Sequence, residues 1–292
     1  METLSGDLFT KYADFVYQIS GMRFNEAKAY YLSSKVTTRM QALVMANYEE
    51  YYRFLQTAQA KASEHTLLMN EVTINETFFF RNQPQLKDFE EYVLKPVLAA
   101  KRAQGKNKIR IWSCAASTGD EAYTTAFQCM GLPEAQSFSI EIIGTDISRQ
   151  AINKAQEGIY TKYAIRNIPQ DLMQRCFAYS EKDDNYHIND EIKRMVKFQE
   201  GNLMDTNRIR MQGQFDIIFC RNVLIYFDDE SKIKVLNNIS SALLDTGYLL
   251  VGHSENLYPQ RDIFRQCKDM GQSLAYQKTE VVKQANLARL GI

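Results

Sequence analysis

The residues best placed to do chemistry are two acids, each close to the end of an apolar run. Ile109-Arg110-Ile111-Trp112-Ser113 leads through Cys114-Ala115-Ala116-Ser117-Thr118-Gly119-Asp120 to Glu121, and Ile140-Glu141-Ile142-Ile143-Gly144-Thr145 ends on Asp146. The pattern predicts a strand, a small-residue turn, a helix and a second strand, the layout of a nucleoside-binding α/β unit. Such a turn lets backbone approach a ligand, and the second acid can accept hydrogen bonds from ribose hydroxyls. Only Gly119 stands where the dinucleotide pattern needs three glycines, so pyrophosphate binding is disfavoured. A ligand with ribose and no phosphate, such as S-adenosylmethionine, fits better. Taken singly, Glu121 and Asp146 could each cap a helix; their shared placement at strand ends favours ligand contact.

A second group follows another apolar run. Phe215 to Cys220 delivers Cys220, Arg221 and Asn222 to the same sheet edge, with Tyr226 shortly beyond. A core tyrosine and a surface arginine are the bland reading; Arg-Asn beside a nucleoside site favours function. The Asn/Asp-Pro-Pro-aromatic motif of DNA amino-methyltransferases and the Pro-Cys of cytosine C5 enzymes are missing, so Cys220 reads as a buried thiol. Gly201-Asn202-Leu203 is a turn that could lie against an adenine. Before the first strand, Asn75-Glu76-Thr77-Phe78-Phe79-Phe80-Arg81 sets polar groups among phenylalanines. With helical spacing Thr77 and Arg81 share a face, and a guanidinium there could grip a carboxylate with two bonds. His65, His187 and His253 form no pattern. The five cysteines have no C-x-x-C spacing, so no metal or redox site is expected and reduced thiols are.

The elements that must hold these groups follow from periodicity. Leu8, Tyr12, Phe15, Val16 and Ile19 share a helical face, and Gly21 breaks that helix. Further helices are expected over about Asn25–Met45, from Asn47 (with Glu50 as a capping box) and over Ser63–Asn70. Another runs from Pro84 to near Ala100. Strands are expected at 109–113, 140–145, 195–199, 215–220, 247–252 and about 273–277, in a mostly parallel sheet. The chain then divides into a helical N-terminal domain (1–70), a linker and helix (71–107), an α/β domain (108–278) with a small β insertion at about 178–196, and a tail (279–292). That tail reads as an amphipathic docking helix or a frayed end. Among 292 residues, Lys+Arg and Asp+Glu are both 35. Zero net charge weighs against nucleic-acid binding. No apolar run is long enough to span a membrane, and the N-terminus lacks the pattern of a signal peptide.

Together the stretch Asn75–Arg81, Ser113–Tyr123, Gly144-Thr145-Asp146, Gly158-Ile159-Tyr160, Asn202-Leu203 and Cys220–Phe227 resemble the CheR-type chemotaxis receptor methyltransferases, in order, over roughly residues 10–278. Departures are mild: Ile74 stands where the family usually has Thr, and Asp120-Glu121-Ala122-Tyr123 replaces Glu-Glu-Pro-Tyr. The resemblance implies a Rossmann-like S-adenosylmethionine-dependent methyltransferase domain with a small antiparallel β insertion, preceded by an all-α domain. It implies methylation of glutamates on the cytoplasmic helices of chemoreceptors, giving glutamyl methyl esters for sensory adaptation and releasing S-adenosyl-L-homocysteine, without a metal. Asn75, Thr77, Arg81, Glu121, Asp146, Asn202, Leu203, Arg221 and Asn222 should line the cofactor site, with Arg81 and Tyr226 nearest the methyl group. A cytoplasmic monomer is expected. Arg23, Lys28, Lys35 and Arg39 could steer acidic receptor helices or form a solvated face, and whether a receptor peptide tethers the insertion stays open. Two other readings stand: a small-molecule or RNA methyltransferase on the same fold, and a module that senses S-adenosylmethionine without transferring a methyl group.

Overall fold

The computed structural model describes residue 4, residues 6–271 and 273–280, and residues 283, 284 and 287. Most of the expected tail therefore lies outside the described residues. The first helix, Gly6–Ser20, buries Phe9, Tyr12, Phe15 and Val16. It stops at Gly21, whose φ of +74° suits glycine, and a Cβ there would lie 2.8 Å from the Met204 sulfur. The second expected helix is split into a 3-10 turn, Glu26–Lys28, and a helix, Ala29–Ala42. The helix Tyr48–Leu55 opens as expected, with the Asn47 side chain accepting from the Glu50 N–H. The Glu50 carboxylate, however, reaches back to the Ala46 N–H rather than to Asn47. Ala58–Ala62, not expected, precedes Glu64–Val72. Glu64 is buried and accepts two bonds from Arg39 (2.8 and 2.9 Å) and one from the Tyr51 hydroxyl. Arg39 is thus committed to the interior of the helical region and is not a steering charge.

The linker corrects one expectation. Residues 74–78 are not helical, and Phe80 and Asn82 have φ of +57° and +65°. Thr77 and Arg81 therefore do not share a helix face. The aromatic run explains this. Phe79 is fully buried against Tyr160, Phe177 and Phe127, whereas Phe78 faces the cleft described below. Neighbouring side chains sent to such different places suit a turn better than a helix, whose successive residues turn by only about 100°.

The following helical run holds Gln83–Asp88, a π-helical stretch Phe89–Leu94, and Lys95–Ala103. Pro96 lies inside it. Proline lacks the N–H and crowds the carbonyl four residues back, and the wider π turn just upstream relieves both.

Among the described residues ten strands follow: β1 (Lys108–Ser113), β2 (Ser139–Asp146), β3 (Ile159–Tyr160), β4 (Phe177–Ser180), β5 (Asn185–Ile188), β6 (Val196–Glu200), β7 (Phe215–Cys220), β8 (Leu243–Val251), β9 (Phe264–Gln266) and β10 (Ala275–Lys278). Seven form one sheet in the order β6-β2-β1-β7-β8-β10-β9. The first five of these run parallel, and β10 and β9 close the edge antiparallel. β8 begins earlier than expected because Leu243 pairs with Phe215 before a register shift. The three-residue β9 was too short to leave a pattern. The insertion is a separate sheet, β3-β5-β4, that starts at Ile159 and ends at Ile188, earlier at both ends than the expected 178–196, because β3 adds a third strand and Asp190–Met195 is helical. Chain order reverses between β1 and β7, and in open α/β sheets such a switch point opens a crevice at the carboxyl ends of the strands. No helix among the described residues is long and apolar enough to cross a membrane.

Candidate active site

A cleft at that switch point encloses about 990 Å³, its open mouth included. Every site residue expected from the sequence lines it: Asn75, Thr77, Arg81, Glu121, Asp146, Asn202, Leu203, Arg221, Asn222 and Tyr226. They arrive from the linker, the first turn of the helix that follows β1, the end of β2, the turn after β6 and the loop after β7.

The two acids differ in how they are held. Asp146 ends β2. Its Oδ1 accepts from the Ser148 N–H and its Oδ2 from the Ser117 N–H, both at 2.9 Å. Each oxygen keeps a lone pair for a ligand hydroxyl. Burial raises its pKa above the usual carboxylate range, opposed by those backbone donors. Glu121, in the first turn of the helix Asp120–Gly131, accepts from the Ser113 hydroxyl at 2.7 Å and pairs with Arg221 at 2.9 Å. Arg221 is buried and widely engaged: Nε donates to Gln85, Nη1 to Glu121 and Nη2 to the Arg81 carbonyl. One guanidinium thereby joins the linker, the β1 turn and the end of β7. Asn202 is similarly occupied, donating to the Ile19 carbonyl and accepting from the Met204 N–H. Next to Glu121, the buried Asp120 carboxyl is pushed up to about 6 by burial, against a hydrogen bond from Thr118.

Arg81 and Tyr226 also line the cleft. Arg81 donates to the Glu76 carbonyl and has no carboxylate partner among the described residues. Burial raises the Tyr226 phenol pKa, while the Arg81 charge pulls it back down. The two groups are therefore close enough to feel each other. Cys220 is fully buried, as expected, and its thiol, hydrogen-bonded to Cys114, is held far above its ordinary range.

Sequence reasoning missed three contributors. Ser117, at a φ of +48°, turns its N–H onto Asp146 and donates its hydroxyl to the Asn75 carbonyl. Glu255 is buried and accepts four backbone N–H groups: Asn222 and Gly252 on Oε2 (2.7 Å each), Val223 and Leu224 on Oε1 (2.8 Å each). Asn222 has a φ of +59°, which turns consecutive N–H groups toward one anion. The only hint was an acid placed just past the end of β8. Third, the helical region supplies Ser20 and Met22 to the cleft wall. It also holds the Tyr226 loop, through Arg23 N–H to the Tyr226 carbonyl and the Met22–Phe227 bridge.

The chemistry of this lining fits S-adenosylmethionine. Asp146 has free lone pairs for a diol, and Ile147 and Leu203 add apolar lining on which a base can pack. Glu76 and Glu121 both line the cleft, the charge of Glu121 already paired with Arg221. Two matches with known proteins agree. The family described as CheR methyltransferase, SAM binding domain, matches residues 75–271, and CheR methyltransferase, all-alpha domain, matches residues 7–73. The chain belongs to the CheR methyltransferase family. Chemotaxis protein methyltransferase 2 of Vibrio cholerae is 32% identical over 271 residues, covering 92% of this chain and 92% of that protein. The chemotaxis protein methyltransferase of Borreliella burgdorferi is 32% identical over 263 residues, covering 89% and 92%. The CheR helical and SAM-binding portions are thus both present in one chain.

Proposed function

We propose that this CheR methyltransferase methylates glutamate side chains on the cytoplasmic helices of chemoreceptors, using S-adenosylmethionine and giving glutamyl methyl esters. The observation that carries the reading is an arginine without a carboxylate partner among the described residues, its charge acting on a half-buried tyrosine, in a cleft that is also lined by the acid ending β2. The cofactor supplies an electrophilic methyl on a cationic sulfur. A glutamate is already ionised at neutral pH, so no general base is required, and no histidine lines the cleft.

The task left to the chain is positioning and exclusion of water. Arg81 orients the acceptor carboxylate without pairing so tightly that its nucleophilicity is lost. Tyr226 donates a hydrogen bond or walls the channel, and burial keeps its phenol neutral. Asp146 binds the ribose hydroxyls. Asn202 and Leu203 lie against the adenine. Asn75, Thr77, Glu121 and Asn222 contact the remainder of the cofactor, and Arg221 holds Glu121 and the linker in place for it. Lys28, over the Tyr226 ring at 5.8 Å, extends positive charge from the helical region toward an acidic substrate. We place the reaction in the cytoplasm, where the receptor helices lie.

Tritium transfer from methyl-labelled S-adenosylmethionine to receptor cytoplasmic fragments tests this. Base-labile label that disappears when the accepting glutamates are changed to glutamine is expected. Cofactor binding without transfer would overturn the catalytic reading in favour of a sensing module.

A further inference from the structure

The segment from Thr161 to Pro169 joins β3 to the helix Gln170–Cys176 and is seated by the buried side chains of Ile165 and Ile168. Between them, Arg166 is exposed, yet its guanidinium is held. Its Cζ lies 3.8 Å from the Tyr163 ring centroid and 4.7 Å from that of Phe78, and its Nη1 donates to the Tyr163 carbonyl at 2.6 Å. Phe78 lines the cleft, and Arg81 lies 5.8 Å from the same ring. Two guanidiniums from separate segments therefore share one aromatic ring at the cleft. Among the described residues neither has a carboxylate partner, although like charges gathered at one place repel.

An exposed arginine ordinarily keeps its rotamer freedom. Here two rings and a carbonyl restrict that freedom, while Nε and Nη2 stay open. A planar fork held in advance loses less entropy when it takes a carboxylate with two bonds. With Arg81 assigned to the reacting glutamate, this second fork has no role in the methyl transfer already described. Its placement matches a second acid nearby on the same acceptor, since side chains one helical turn apart are neighbours.

We propose that Arg166 is a substrate-specificity residue that binds a second carboxylate of the acceptor, within one helical turn of the glutamate that is methylated. This rests on the reading of the acceptor as an acidic receptor helix. It makes the lead-in to the β insertion part of the substrate site and selects glutamates with acidic neighbours over isolated ones.

The test is the initial rate of tritium transfer to receptor cytoplasmic fragments by wild type, Arg166→Ala and Arg166→Lys. For Arg166→Ala, KM for the fragment should rise about tenfold while kcat and the cofactor Kd stay within twofold; Arg166→Lys, which keeps charge but not the fork, should fall between. Fragments whose acids flanking the methylated glutamate are changed to glutamine should raise KM for the wild type and leave Arg166→Ala unaffected. An unchanged KM in Arg166→Ala, or an equal response of both enzymes to the neutralised fragments, overturns the subsite. A loss confined to kcat or to cofactor binding overturns it too, by making Arg166 a structural residue. No transfer by the wild type to any fragment is a separate failure, of the acceptor class itself, and takes the subsite with it.

Discussion

At the scale of single residues, charge is settled by partners. Arg221 and Arg39 are both arginines in regions where an arginine could meet a ligand, yet each is committed to an acid, Arg221 to the partly exposed Glu121 and Arg39 to the buried Glu64. Arg81 is left free. Arg81→Ala is therefore expected to lower turnover at least about 100-fold, or ~3 kcal/mol of barrier, while unfolding free energy moves by about 0.5 kcal/mol or less; near-normal kcat in the transfer assay would remove its catalytic role. Asp146 must be ionised to accept from two ribose hydroxyls at once. Because burial raises its pKa, cofactor affinity should weaken as pH falls through that raised value, and Asp146→Asn should bind roughly tenfold more weakly and lose the pH dependence. Calorimetric titration of the cofactor across acidic pH reads both. Asp120 carries a stability signature instead. Its carboxyl is raised from 3.8 to about 6, so the folded state holds the proton more tightly than the unfolded chain does. Its contribution to stability is full below the unfolded value and is lost as pH rises through the folded one, up to about 3 kcal/mol. Asp120→Asn should lack this loss, so denaturant unfolding of variant and wild type, compared at several values between pH 4 and 7, should converge toward the acid end. A constant difference across that range would contradict the assignment.

At the scale of elements, the loop after β7 shows how a backbone that satisfies no ladder can still be rigid. Three consecutive N–H groups and a fourth from Gly252 converge on Glu255, and a Cβ at position 252 would fall 2.6 Å from that carboxylate. Glu255→Gln turns an amide NH2 toward two backbone donors and leaves them unsatisfied, at about 1–3 kcal/mol each. A loss on the order of 3 kcal/mol in stability is expected, together with a fall in kcat larger than the fall in cofactor affinity, because Tyr226 rides on this loop. Unfolding curves and saturating-cofactor turnover measure the two separately; retained kcat would show that the loop does not depend on this anchor. The linker makes the same point differently. Its aromatic residues leave the helical path because Phe79 and Phe78 have different destinations, one a core and the other a cleft.

At the scale of the molecule, the helical region is a wall of the site as well as a neighbour of it. Ser20 and Met22 line the cleft, Ile19 accepts from Asn202, and Arg23 holds the Tyr226 carbonyl. Gly21 lies at the centre of this contact, with positive φ and the Met204 sulfur where a Cβ would stand. Gly21→Ala should cost at least about 1–2 kcal/mol from the left-handed conformation alone. It should also raise KM for the cofactor, since the turns bearing Asn202 and Tyr226 both lean on it. Cofactor KM and unfolding free energy for this one variant check the coupling; a stable variant with unchanged KM would show the two regions to be independent.

Much of this was legible in the chain itself. Apolar runs ending in acids specified the nucleoside-type unit, because strand length and the period of burial are local properties, and the motifs from Asn75 to Phe227 specified the family and the set of residues around one cleft. What needed the folded chain was pairing. That Arg221 is committed to Glu121, that Arg39 is turned inward to Glu64, that Glu255 gathers four N–H groups and that Met22 walls the cleft all depend on groups far apart in sequence. Only the tertiary fold brings such groups within hydrogen-bond reach, since periodicity reports which face a residue occupies and carries no record of what stands opposite.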